Sequence, residues 1–200
     1  MAEQTRYMVL GATALDASKM ASITAPDGGT AGLSMQEMAH LGKLILRGDV
    51  ATLTSLCKQA GLSYPEVANT VSSKGTRHAL WLGPDEVMLL IEAGAEEQLA
   101  VTLQKSLEGK SGSVVNITDG LCAFNLSGEN VRDVLAKGCP LDLHHTVFGT
   151  GSCAQSLLAH AGITLACLAP DTFILIGRTS FASYIANWLA DASLEYGFAC

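Results

Sequence analysis

Apolar residues fall along this chain in short runs of strand length, separated by glycine, proline and small polar residues and interleaved with stretches of helical period. The run Leu41 to Leu46 leads into Arg47-Gly48-Asp49, and Leu121 to Leu126 leads into Ser127-Gly128-Glu129. Each run has the length of a strand, and each glycine permits a tight turn before the helical pattern that follows. The first of those helices places Leu53, Leu56, Cys57 and Ala60 on one face and stops at Gly61. The second carries Val131, Val134 and Leu135 and stops at Gly138, ahead of Pro140.

Downstream of each helix, Leu82-Gly-Pro-Asp-Glu-Val-Met-Leu-Leu-Ile91 matches Leu168-Ala-Pro-Asp-Thr-Phe-Ile-Leu-Ile-Gly177. Proline presets φ for the second position of a turn, so both stretches read as β-hairpins. Further strands are expected over Arg77 to Leu82, Ser152 to Leu158 and Ile163 to Leu168. A helix over Ala95 to Leu107, with Leu99, Leu103 and Leu107 inward, follows the first hairpin. After the second, Ser180 is placed as N-cap, with Phe181, Tyr184, Ile185, Trp188 and Leu189 as the apolar stripe. The order strand, helix, hairpin, helix therefore occurs twice and defines an α+β fold of mainly antiparallel sheets with packed helices. Residues 1–36, rich in Gly, Ala, Ser and Thr, read as an extended N-terminal arm. Residues 37–200 form the duplicated domain, with halves over about 37–110 and 111–200.

Composition narrows what such a fold can be for. Charged residues make up only 16% of the chain against 48% apolar ones, and mean hydropathy is +0.30. A charge-poor exterior is expected where another polypeptide covers part of the surface. A net charge of −7 with 12 Lys plus Arg leaves no basic stripe for nucleic acid. No apolar run approaches the roughly 18 to 20 residues of a membrane span, and no signal-peptide pattern opens the chain, so a cytoplasmic location is expected.

Candidate chemistry is sparse. The six cysteines, Cys57, Cys122, Cys139, Cys153, Cys167 and Cys200, form no CxxC pair and read as small hydrophobes in a reducing compartment. Asp142-Leu-His144-His145 is the most ligand-like cluster. Adjacent histidines in extended chain point apart, however, and no third ligand stands at metal spacing. Gly109-Lys110-Ser111 lacks the earlier glycine and leading strand of a phosphate loop and reads as a helix stop. Gly149-Thr-Gly151 lacks the rest of a dinucleotide fingerprint. Trp81 and Trp188 are expected in the core, and no catalytic, cofactor or metal residue is assigned.

Three stretches carry a family likeness: Leu80 to Leu90, Leu126 to Leu143 and Cys153 to Leu158, the most specific piece being Lys137-Gly-Cys-Pro-Leu-Asp-Leu143. They resemble the gamma subunit of heterotetrameric sarcosine oxidase. The layout is also similar to the folate-binding domain of the glycine-cleavage T-protein, through His40-Leu-Gly-Lys-Leu44 and Gly48-Asp49. Where that family has Gly-Tyr-Thr-Gly-Glu between its last two strands, this chain has the turn Leu168-Ala-Pro-Asp171. The resemblance implies a T-protein-like fold without that active site. It also implies a structural subunit of a complex that demethylates sarcosine or a related N-methyl amino acid such as N-methylglutamate. FAD, FMN, NAD, tetrahydrofolate and zinc are then held by partner subunits and none by this chain, which is expected to associate with partners or with itself. The segment Cys139, Pro140, Leu141, Asp142 and Leu143, with the arm, is the expected subunit interface. The competing expectation is a stand-alone folate-dependent aminomethyltransferase of the T-protein type.

Overall fold

The computed structural model describes residues 22, 23, 25 and 28–200. The expected arm over 1–36 falls mostly outside these residues; its last positions do not extend away from the domain but enter a sheet. In chain order the described residues form strand β1 (Leu33–Glu37), β2 (Gly42–Gly48), helix α1 (Val50–Gln59), β3 (Val71–Lys74), β4 (Arg77–Gly83), β5 (Glu86–Ile91), α2 (Glu96–Lys105) and β6 (Gly112–Asn116). There follow β7 (Leu121–Ser127), α3 (Val131–Ala136), β8 (Cys153–Leu158), β9 (Ala161–Ala169), β10 (Thr172–Arg178), α4 (Ala182–Ala192) and β11 (Phe198–Ala199).

Two sheets result, a five-stranded one in the order β3-β4-β5-β2-β6 and a six-stranded one in the order β11-β1-β7-β10-β9-β8. All pairings are antiparallel except β1 with β11. Both two-residue turns expected from Pro-Asp are present, joining β4 to β5 through Pro84-Asp85 and β9 to β10 through Pro170-Asp171. Element order is the same in β2-α1-β3-β4-β5-α2 and β7-α3-β8-β9-β10-α4. The boundary between them is crossed in space, because β6 pairs with β2 and β1 pairs with β7. Each sheet thus takes one strand, β6 or β1, from outside the run of elements that supplies its other neighbouring strands.

The continuous apolar runs of β5 and β10 are explained by layering, since a strand covered on both faces needs apolar residues at every position. Val87, Leu89 and Ile91 pack toward α1 and α2 with Leu53, Leu56 and Leu103. Met88 and Leu90 point the other way and meet Ile174 and Ile176 of the second sheet. Phe173 and Leu175 in turn face α3 and α4, against Val134, Ile185 and Leu189. The molecule is therefore four layers, helices, sheet, sheet, helices, with three apolar seams. At about 1.5 to 3 kcal/mol for each fully buried large side chain, all three seams contribute substantially before chain entropy is subtracted.

Backbone contacts lock the two sheets together at one edge. Val71 N donates to Gly151 O at 2.8 Å and Cys153 N to Asn69 O at 2.8 Å. At the opposite end Lys43, only 2% exposed, donates from Nζ to Leu41 O at 2.6 Å and to Thr118 O at 3.2 Å. That lysine ties β2 to the short turn that carries the chain from one sheet to the other. Burial lowers its pKa below the usual 10.5, while Cys122, Asp119, Glu96 and Glu37 act in the opposite direction.

Helix ends follow local chemistry. Asp49 caps α1 by accepting from Thr52 N at 2.7 Å, and Gly61, with φ +81°, stops it. The end of the chain departs from expectation. Ser180 lies inside a 3₁₀ turn, α4 starts at Ala182, and no side chain caps it. Its buried stripe is Ala182, Ile185, Ala186 and Leu189, whereas Phe181 and Tyr184 stand 37% and 36% exposed. The small alanines let the helix lie close to the sheet, where Gly177 leaves room for Ile185: a methyl at Gly177 would come within 2.5 Å of Ile185 Cδ1.

Candidate subunit-docking site

Between α3 and β8 the chain runs from Lys137 to Ser152 without helix or named strand. Irregular connections longer than about 12–15 residues are uncommon in compact domains and are usually functional. This one is tightly held. Cys139 and Leu143, each 5% exposed, and Phe148 point into the core beneath the six-stranded sheet, and the Phe148 ring stacks on Phe173 at 6.4 Å between centroids. Of the segment expected to form the interface, Leu141 is half-buried, and Pro140 and Asp142 are exposed. Cys139 and Leu143 therefore shape the loop from within, and the residues that face outward are Lys137, Pro140, Asp142, the stretch 144–147 and Thr150.

Polar contacts set the remainder of its path. Asp142 Oδ1 accepts from His144 N at 3.0 Å, and His144 Nδ1 lies 2.8 Å from Thr146 Oγ1. The two histidine rings do not point apart as an extended chain would require. Their centroids are 4.3 Å apart, because the turn bends the backbone here. Among the described residues no group of three or more His, Cys, Asp or Glu is placed to hold a metal.

Arg132, on the exposed side of α3, organises the loop. Its Nη1 donates to Leu143 O at 2.5 Å and Phe148 O at 3.0 Å, while Nε and Nη2 donate to Pro170 O at 3.0 and 2.7 Å. Nη2 also lies 3.5 Å from Cys167 Sγ, and the guanidinium sits 4.8 Å from the centre of the Phe173 ring. One side chain thus joins α3, the loop and the β9–β10 turn. Composition did not single it out. The available signal was a cation between two core valines, Val131 and Val134, in a chain with few cations. Beside it a depression of about 380 Å³ is lined by Arg132, His145, Gly149, Thr150, Pro170 and Asp171.

Elsewhere Arg47 and Asp49 are committed to structure. A larger hollow of about 470 Å³ collects Arg47, Gly48, Asp49, Asp85, Ser111, Gly112 and Ser113. Arg47 is paired with Glu86 at 2.8 Å, and Asp49 serves the helix cap. Gly109, with φ +75°, ends the turns that follow α2, as its sequence implied. Burial pushes the thiol of Cys57 up to about 12 and that of Cys153 up to about 11, so neither is a ready nucleophile. Trp188 lies against Gly138, where any side chain would collide with its ring.

The layered fold defines the class first: it is the two-sheet α+β fold of the glycine-cleavage aminomethyltransferases. The protein from Bartonella henselae superposes with a TM-score of 0.61 at 16% identity, over 84% of this chain and 50% of that one. The chain belongs to the sarcosine oxidase gamma subunit family, whose model matches residues 47–195. The sarcosine oxidase subunit gamma of Corynebacterium sp. (strain P-1) is 31% identical over 174 residues, 84% of each chain. A chain of the heterotetrameric sarcosine oxidase from Corynebacterium sp. U-96, solved in complex with pyrrole 2-carboxylate, matches with a TM-score of 0.78. It is 29% identical, over 84% of this chain and 87% of that one.

Proposed function

We propose that this chain is a non-catalytic, structural subunit of a sarcosine oxidase complex, or of a related N-methyl amino acid oxidase or dehydrogenase, working in the cytoplasm. The observation that carries the reading is the match over nearly the whole length of a chain from a heterotetrameric sarcosine oxidase. The packing agrees with it: Lys43, Asp49, Arg47 and Arg132 are spent on a strand tie, a helix cap, an ion pair and a loop clamp. In this reading the flavins, the nicotinamide nucleotide, the tetrahydrofolate site and zinc belong to partner subunits. The recurring element order is read as a duplication of one strand-helix-hairpin-helix unit.

Co-expression of the tagged chain with the other oxidase subunits tests the assignment. The tagged chain should recover them in fixed ratio, with flavin colour in the complex and none in the chain purified alone. Tetrahydrofolate should leave the melting temperature of the isolated chain unchanged. Folate-dependent turnover by the isolated chain would instead establish the transferase reading that the fold likeness also permits.

A further inference from the structure

We propose that the loop over residues 137–152 is a preformed docking surface for another subunit of the oxidase, with Val147 at the contact and Arg132 as the positioning residue that fixes its shape. This rests on the subunit reading above and names the surface through which it operates. A loop of this length is costly to order in backbone entropy, and a chain with no use for its shape has no reason to hold it. Here it is held at both levels. Cys139, Leu143 and Phe148 anchor it from within, and Arg132 captures the Leu143, Phe148 and Pro170 carbonyls from above.

The guanidinium is not an anion hook. It has five N–H groups, and the carbonyls of Leu143, Phe148 and Pro170 together with Cys167 Sγ account for all five. Its role is to set geometry, and what it presents is a surface. Val147 stands 62% exposed at the end of a turn closed by its own N–H to His144 O at 2.9 Å. Beside it lie the His144 and His145 rings, tilted 39° to each other with centroids 4.3 Å apart, and the depression of about 380 Å³ reaching to Pro170 and Asp171. An apolar point, two flat rings and an adjoining hollow fit a protein surface with an apolar centre that inserts a side chain. A small anion would find the Arg132 guanidinium already committed. The occupant follows from the near full-length likeness to one chain of a heterotetramer. Rigidity matters because a contact surface already ordered spares the complex that cost on binding.

The test uses the full chain and the co-expressed complex. Val147→Asp should leave the melting temperature of the isolated chain unchanged and weaken assembly by about tenfold or more, the scale of a central contact residue. Arg132→Gln should raise amide exchange over residues 139–150 while exchange in β5 and β10 stays slow, and should weaken assembly comparably. Arg132→Lys should not restore it, since an ammonium cannot span these acceptors as a planar fork does. In the wild-type complex the loop should gain protection from exchange. Wild-type affinity in Val147→Asp, or no added protection on assembly, would overturn the proposal even if Arg132→Gln fails to fold. Failure of the wild-type chain to assemble at all would count against the subunit reading instead.

Discussion

Arg132 and Gly138 show how single residues at the two ends of a short helix decide what the loop beyond it can be. Gly138 is where α3 gives way to the loop, and Trp188 of α4 occupies the space a side chain there would need. Gly138→Val should force the indole away and cost about 1–3 kcal/mol, the usual range for overpacking, read as a lowered denaturation midpoint. Gly128 is constrained more severely. Its φ is +134°, and a methyl there would overlap the Gly32 carbonyl, which also accepts from Asn130 N at 3.1 Å. His78 carries a pH dependence. It is 8% exposed, its Nδ1 lies 2.8 Å from Ser73 Oγ, and burial lowers its pKa below 6.5. As pH falls below 6.5 the unfolded chain takes up this proton before the folded one, so stability is full above 6.5 and declines toward the lowered folded value. Melting temperatures from about pH 7.5 down to about pH 5 should therefore fall more steeply in wild type than in His78→Gln.

Helices and hairpins were legible to the extent that their determinants are local. Pro84-Asp85 and Pro170-Asp171 fix turns through the φ of proline, and Asp49 and Gly61 mark the two ends of α1 within their own neighbours. On α4 periodicity places Phe181, Tyr184, Ile185, Trp188 and Leu189 on one stripe, of which the structure buries Ile185 and Leu189, together with Ala182 and Ala186. Periodicity alone favours the larger side chains. Close approach to the sheet, made possible by Gly177, selects the smaller set, and that choice depends on a residue outside the helix. The consequence is measurable by thermal melts of paired variants. Ile185→Ala should cost about 2–5 kcal/mol, as for other buried isoleucines. Tyr184→Ala, on the exposed side, should stay within about 1 kcal/mol. The loop over residues 137–152 was half legible: the likeness marked Cys139 to Leu143, but its path depends on Arg132 reaching across to the Leu143, Phe148 and Pro170 carbonyls.

At the scale of the whole molecule the exchange of β1 and β6 between the sheets governs behaviour. Neither sheet is complete from one continuous half of the chain, and Lys43 and the Val71–Gly151 and Cys153–Asn69 contacts bind the sheets together. Strand pairing across such distances in sequence has no local signature, which is why a boundary near residue 110 looked natural. Unfolding should be one cooperative step. Trp81 lies in the five-stranded sheet and Trp188 on the helix covering the other. Fluorescence melts of Trp188→Phe and Trp81→Phe should each superimpose on the circular dichroism transition, and separated midpoints would mean independent halves. In the reading proposed above, the chain's contribution to its complex lies in contact. The most direct test is sedimentation of the purified chain alone and mixed with its partner subunits, followed at protein and flavin wavelengths. The account predicts a colourless species when alone and, when mixed, movement of this chain with the flavin boundary. Separate boundaries in the mixture, or flavin carried by this chain alone, would contradict it.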